Sequence, residues 1–462
     1  MSDFRTETDS LGPVRVPTDA LYGAQSQRAH DNFPISGIRF PRRFVSALGL
    51  VKGAAAQANA DLGILSAETA QAIAIACEAV ARGDHDVQFV LDIFQTGSGT
   101  STNMNANEVI ASLASQALGR AVHANDDVNA SQSSNDVIPT AMHVAARLAL
   151  LEDLLPAMAR FAGALDAKAY EFDDVVKSGR THLMDATPVT LGQEFGGYAA
   201  QIQRSITRVE AAAEDLKELA LGGTAVGTGI NTPDGFAQRA IAVLSETAGA
   251  EFVEAANHFE AQSAKDAFVF AGGALNALAV SLMKIANDIR HLSSGPTSGL
   301  AEIALPSLQP GSSIMPGKVN PVMSESLMMV CARVMGNTTT LTVGGQHGNF
   351  ELNVMMPVMA HALLESVEIL TNSLDAFREK CLDGITANRE RCRDLLERNP
   401  AIATALNRTI GYDVASKVAK KAAAEGRSVR DVVVEMGVLP EGADLDALLD
   451  VRSMTEPGIP GE

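Results

Sequence analysis

Apolar positions along this chain recur mainly at helical spacing. Short helical patterns over 42–62 and 66–81 alternate with polar loops up to about residue 132. Five much longer stretches follow, at about 137–170, 188–220, 263–292, 321–344 and 351–381. In the second, Leu191, Phe195, Tyr198, Ile202, Ile206, Val209, Ala213 and Leu216 step by three or four throughout, which makes one apolar stripe. Thirty residues of helix measure about 45 Å. Helices of that length predict a bundle that also packs against other subunits. Thr187 and Pro188 read as the N-cap and first position of that second helix. Pro357 is expected to bend or interrupt the fifth. The middle of the chain shows no regular alternation of strand and helix, so a doubly wound sheet is not expected. From about residue 389 the pattern predicts a small helical domain with a Pro/Gly-rich end at 455–462. The expected division is an N-terminal domain over 1–132, a central long-helix domain over 133–389 and a C-terminal helical domain over 390–462.

Composition narrows the function classes. The chain has 462 residues, 36 Lys+Arg against 55 Asp+Glu, and a formal net charge of -19. An acidic chain of pI about 4.9 lacks the basic face that nucleic-acid backbones or anionic lipid surfaces require. Aromatic residues at 4%, with no Trp, argue against base stacking. Cys77, Cys331, Cys381 and Cys392 are scattered without a C-x-x-C pair, and read as buried thiols in a reducing cytoplasm. The acidic, polar start over 1–14 lacks the pattern of a signal peptide. No apolar run is expected to approach the roughly 18 residues that span a bilayer. These features predict a soluble, cytoplasmic protein.

Four loop segments carry the chemistry. The first is Gly311-Ser-Ser-Ile-Met-Pro-Gly-Lys-Val-Asn320-Pro321. A phosphate-loop reading fails on spacing, and Val319 stands where Ser or Thr would ligate magnesium. Two hydroxyls, a cation and an amide instead precede a long helix, whose free N–H groups favour an anion. The plain alternative is a turn-rich interhelical loop. The second segment is Ser178-Gly-Arg-Thr-His182-Leu-Met-Asp185. The third is the polar run 125–136, with Asn135 or Asp136 as a helix N-cap. The fourth is Thr96-Gly-Ser-Gly-Thr100 followed by Asn103, Asn105 and Asn107, read as an anion nest or a flexible loop. The nine histidines do not cluster at metal-ligand spacing, so no metal or other cofactor is expected.

Taken in this order, the four segments resemble class II fumarases, the iron-independent fumarate hydratases of the aspartase/fumarase superfamily. The run Gly311 to Pro321 is similar to the superfamily signature. Segments around Asp9-Ser10, Gly23 to Gln25, 95–108, 125–143, 179–193, 221–231, 281–288 and 348–353 resemble the family as well. The resemblance implies a mainly α, three-domain subunit whose five central helices join a twenty-helix core in a homotetramer. Each active site would then be shared by three subunits. It implies hydration of fumarate to L-malate in the tricarboxylic acid cycle through an aci-carboxylate intermediate, without metal. An aspartate ammonia-lyase is the close rival. His182 and Ser134 favour the fumarase, because aspartases are expected to carry Gln and Thr there. A non-catalytic structural homologue is the third reading.

By the same resemblance Ser312 is the base that takes the carbon-bound proton, and Lys318 and Asn320 stabilise the intermediate. His182, paired with Glu325, serves the leaving hydroxyl. Ser98, Gly99, Thr100, Ser133, Ser134, Asn135, Thr181, Ser313, Lys318, Val319 and Asn320 hold the substrate carboxylates. A second anion site is implied at Arg120, His123, Ala124, Asn125 and Asp126, where Ala124 departs from the proline of the family pattern.

Overall fold

The computed structural model describes residues 4–461. The described residues are mainly helical, and their strands form only two-stranded pairings. The five long helical stretches appear as Ser134–Leu148 continued by Leu155–Glu171, then Leu191–Asp215, Asp266–Leu292, Val322–Gly345 and Met356–Lys380. A π-helical turn, Ala149–Leu154, joins the first two pieces. The chain divides into two compact units, one from 1–156, 205–279 and 330–371, the other from 157–204, 280–329 and 372–462. Each crossing between these segments falls inside one of the five long helical stretches.

In the first unit, helices Arg42–Asp61, Ala67–Arg82 and Thr100–Leu118 pack on one another and on Ser134–Leu148. Their shared face buries Phe44, Leu48, Val51, Ile73, Val109, Ile110 and Val137 completely. Each such side chain contributes about 1.5–3 kcal/mol by leaving water. Ser66 caps the second of these helices by accepting from Thr69 N. Helix Ser134–Leu148 is capped neither by Asn135 nor by Asp136, as the sequence suggested, but by Ser133. Ser133 Oγ accepts from Asn135 N, while the Asp136 carboxylate reaches back to Ser133 N at 2.9 Å. This reciprocal box satisfies two free donors where a single cap satisfies one.

In the second unit, Phe172 meets Phe195 and Phe195 meets Tyr198 edge-on at 5.4 and 5.5 Å, and Phe161 meets Phe377 at 6.0 Å. Helix Leu191–Asp215 passes from the second unit into the first at residue 205, and along it and its following residue Leu191, Phe195, Tyr198, Ile202, Val209, Ala213 and Leu216 are buried and Ile206 is half-buried, so the stripe is packed inside the chain. Its start differs from the expected one. Thr187 and Pro188 belong to a strand, Met184–Thr190, because their backbone pairs with Val176–Thr181. The cap is Thr190, which exchanges hydrogen bonds with Gln193 at 2.9 and 3.0 Å. Pro357 does not interrupt its helix. It is the second residue of Met356–Lys380, in the first turn, where a missing N–H costs nothing. The C-terminal helices Arg389–Glu397, Tyr412–Glu425 and Val429–Met436 enclose a core of their own around Leu406, Val418, Val432 and Val433.

One expectation about apolar runs needs correction. Helix Asp266–Leu292, with a best-window mean hydropathy of 1.7, is long and apolar enough to cross a bilayer by length and composition alone. Half of that window is packed inside the chain, as in a core helix of a large bundle.

Candidate active site

The loop 311–320 closes on itself. Gly311 N donates to Lys318 O at 2.8 Å, and Asn320 Nδ2 donates to Gly311 O at 2.7 Å. A Cβ at Gly311 would stand 2.6 Å from Lys318 O, so only glycine permits this neck. Within the ring, Ser312 Oγ accepts two backbone N–H groups, from Ile314 at 3.2 Å and Met315 at 2.9 Å. Two amides on one hydroxyl oxygen form an ST turn, and they also place partial positive charge where an alkoxide would need it. Ser312 and Asn320 are half-buried, while Ser313, Lys318 and Val319 face outward. Among the described residues the Lys318 ammonium has no ion-pair partner in this chain. The loop feeds helix Val322–Gly345, which presents Glu325 exposed in its first turn.

His182 stands at the tip of a hairpin formed by Val176–Thr181 and Met184–Thr190. Thr181 pairs with Met184, so His182 and Leu183 are the two turn residues, at φ +57° and +61°. Both central positions of this turn need a left-handed backbone, which glycine and asparagine usually supply. Holding His and Leu there costs roughly 1–3 kcal/mol each, a strain typical of functional positions. The hairpin is anchored below its tip. Arg180 forks onto the fully buried Glu302 carboxylate at 2.8 and 2.9 Å, and buried Lys177 reaches Glu302 at 3.3 Å and Glu194 at 2.7 Å. Burial lifts the Glu194 carboxyl above its usual range against the pull of Lys177. Asn399, from the C-terminal segment, donates to Ser178 Oγ at 3.0 Å and Ala186 O at 2.8 Å. Replacing Arg180 leaves Glu302 with Lys177 alone. Arg180→Met is expected to destabilise the fold by about 3 kcal/mol, read as a lower urea midpoint.

The first unit gathers the remaining hydroxyls and amides. Gly99, at φ +72°, precedes helix Thr100–Leu118, and Ser98 Oγ lies 2.8 Å from Thr100 Oγ1. Gln95 Oε1 accepts from both Thr102 N and Thr102 Oγ1, which fixes the loop against the helix start. The segment 96–100 is therefore an ordered helix entry. Ser133, Ser134 and Asn135 open the next helix half-buried, and Asn135 Nδ2 donates to Ala225 O at 2.8 Å. Beneath them lie two buried charges. Asp136 accepts from Ser133, Gly222 and Thr224 backbone amides, yet burial still lifts its carboxyl above the usual range. Lys52 is fully enclosed, and burial draws its ammonium down to about 7.

The structure thus brings Ser98, Gly99, Thr100, Ser133, Ser134 and Asn135 into one unit. Thr181, His182, Ser312, Ser313, Lys318, Val319, Asn320 and Glu325 belong to the other. No hydrogen bond or ion pair joins His182 to Glu325 within the described chain. The second anion segment is already engaged. Arg120 donates to Glu68 at 3.1 Å and to Thr69 at 2.9 Å, and His123 accepts from Asp126 N across the π-turn Ala124–Val128. Among the described residues no three His, Cys, Asp or Glu side chains stand together as a metal site would require. Sequence reading missed Lys52, Asn129 and Glu302. A lysine inside the otherwise apolar stripe of 42–62 was the one visible signal among them.

Helix entries rich in hydroxyls and amides, and a serine oxygen that accepts two backbone amides in a loop that also carries Lys318, fit a lyase. The family model described as Lyase matches residues 12–336, and the model Fumarase C C-terminus matches residues 402–456. The chain is 55% identical over 459 residues to the class II fumarate hydratase of Mycobacterium tuberculosis H37Rv, covering 98% of this chain and 97% of that one. It is 57% identical to the class II fumarate hydratase of Halobacterium salinarum over 462 residues, 99% and 98% of the two chains. Among solved structures, class II fumarase from Schistosoma mansoni superposes with a TM-score of 0.96 at 38% identity, covering 98% of this chain and all of that one. The fumarate lyase:delta crystallin of Brucella melitensis, bound to cobalt, gives 0.94 at 45% identity with the same coverage. The chain belongs to the class II fumarate hydratase family.

Proposed function

We propose that this enzyme catalyses the reversible, stereospecific hydration of fumarate to L-malate, as the step of the tricarboxylic acid cycle, in the cytoplasm. The observation that carries the reading is Ser312 Oγ receiving two backbone N–H groups inside a closed loop that also bears Lys318. In the malate-to-fumarate direction a base must take a proton from the carbon next to a carboxylate. A serine does this only as its alkoxide, and the Ile314 and Met315 amides with Lys318 lower the cost of that charge. The carbanion's charge moves onto the carboxylate as the aci-form, where Lys318 and Asn320 receive it. His182, with Glu325, then gives a proton to the departing hydroxyl.

The carboxylates are held by Ser98, Thr100, Ser133, Ser134, Asn135, Thr181 and Ser313, with Gly99 and Val319 lining the same loops. Hydroxyl and amide donors fix a flat diacid in one orientation. The site is completed by other copies in a homotetramer, with three subunits per site, a reading with which the lack of a His182–Glu325 hydrogen bond among the described residues is compatible. The 1–132, 133–389 and 390–462 division fits that assembly, and a separate family model for 402–456 supports its last boundary. A second diacid site at Arg120 and His123 to Asp126 would require the anion to displace Glu68 from Arg120.

Incubating the purified enzyme with fumarate, with and without ammonium, tests the reading. Malate in both reactions is expected. Aspartate formed only with ammonium would make it an ammonia-lyase, and no turnover would favour a structural homologue.

A further inference from the structure

Buried and half-buried amides of the first unit form a chain whose direction can be read from chemistry alone. Lys52 Nζ donates to Asn129 Oδ1 at 2.8 Å and to Gln132 Oε1 at 3.0 Å. A protonated lysine has donors and no acceptor, so Asn129 must turn its oxygen toward it. On its other side Asn129 Nδ2 donates to the Gln132 backbone carbonyl at 3.1 Å, which has acceptors only. Asn129 is therefore oriented twice over. Its oxygen then forces its other neighbours to present nitrogen, and Asn103 Nδ2 and Asn107 Nδ2 do so at 3.2 and 3.1 Å. The same Asn103 nitrogen also donates to Ser134 Oγ, at 3.0 Å. Asn103 and Asn107 are buried, and Asn129 is half-buried beside a cavity that Asn103 also lines.

The consequence falls on Ser134. With one N–H already on its oxygen, Ser134 has its proton and a single remaining lone pair to offer. Among the described residues, no acceptor in this chain takes that proton. Ser134 half-faces an open cavity that Asn125, Thr224 and Asn231 also line. A hydroxyl with one acceptor site taken and its proton unclaimed suits a carboxylate oxygen, which accepts only. We propose that Asn103 is a positioning residue that orients the Ser134 hydroxyl so that its proton is given to the substrate carboxylate, and that Lys52, through Asn129, fixes the direction in which Asn103 acts. The proposal rests on the reading of Ser134 as a carboxylate ligand.

The test compares Ser134→Ala, Asn103→Ala and the double variant, with kcat and KM for fumarate measured on the acid side of about 7, the value to which burial draws the Lys52 ammonium. Each single change is expected to raise KM about tenfold, the loss of one hydrogen bond to a charged group, while kcat stays within about threefold. In the double variant Asn103→Ala adds nothing, because it acts only through Ser134. A tenfold rise in Ser134→Ala with unchanged KM in Asn103→Ala, or full additivity in the double variant, overturns the proposal alone. An unchanged KM in Ser134→Ala overturns the reading beneath it as well. Should Asn103→Ala not fold, Lys52→Met addresses the far end of the chain. It is expected to raise KM in the Ser134 background and not in the Ser134→Ala background, and the absence of that difference overturns the proposal.

Discussion

Ser312→Ala is expected to lower kcat by about a thousandfold or more while leaving the unfolding midpoint within error of the parent. The large effect follows from the geometry of the loop. The neck of 311–320 is tied by Gly311 to Lys318 and by Asn320 to Gly311, and neither bond uses the Ser312 hydroxyl. Removing that hydroxyl frees the N–H groups of Ile314 and Met315, both exposed residues, so water replaces it at little cost. The catalytic loss has no such substitute, because neither Ser313 nor Lys318 lies under the paired amides. Turnover and thermal unfolding measured on the same preparation check both halves. Near-parental kcat would remove Ser312 as the base.

His182→Asn is expected to cost about a hundredfold in kcat, with Glu325→Gln costing about tenfold. Asparagine is the informative replacement because it tolerates a left-handed backbone better than most residues. At φ +57° it keeps the hairpin turn while removing the imidazole. Stability should hold or rise, since strain at the tip is relieved as the catalytic group is lost. Arg180 and Lys177 continue to anchor the strands below. The unfolding midpoint, measured on the same preparations, separates this from a folding defect. Near-parental kcat in both variants would refute the pair.

The helical frame was legible from residue spacing, and the reasons are visible where it was and where it was not. The stripe from Leu191 to Leu216 is buried almost throughout, because a 3.6-residue period survives any detail of packing. The helix starts were misread where reciprocal side-chain bonds decide them. Thr187-Pro188 has a good local pattern, yet strand pairing with 176–181 claims both residues, and Thr190 with Gln193 makes the cap. Pro357 looked disruptive because spacing does not reveal that it sits in a first turn. At the site, the chemistry-bearing loops were legible as Gly/Ser/Asn-rich segments, and the roles of their residues came from family resemblance. The supports were not legible. Glu302 is 122 positions from Arg180, and Lys52 is 77 from Asn129, so nothing local announces either pair. The hairpin that carries His182 was read as a loop because its strands are short and its turn residues are not those such turns prefer.

Ser312 and His182 belong to the same unit of one chain but are not joined by any hydrogen bond among the described residues. If each site draws them from different subunits, inactive chains should rescue each other. The most direct measurement is malate formation after Ser312→Ala and His182→Asn chains are mixed in equal amounts, dissociated and reassembled. Random assortment in a symmetric assembly is expected to return about a quarter of parental activity, from sites that draw both intact residues. Activity no higher than the sum of the two variants alone, in a mixture shown to have exchanged subunits, would contradict a shared site built on Ser312 and His182.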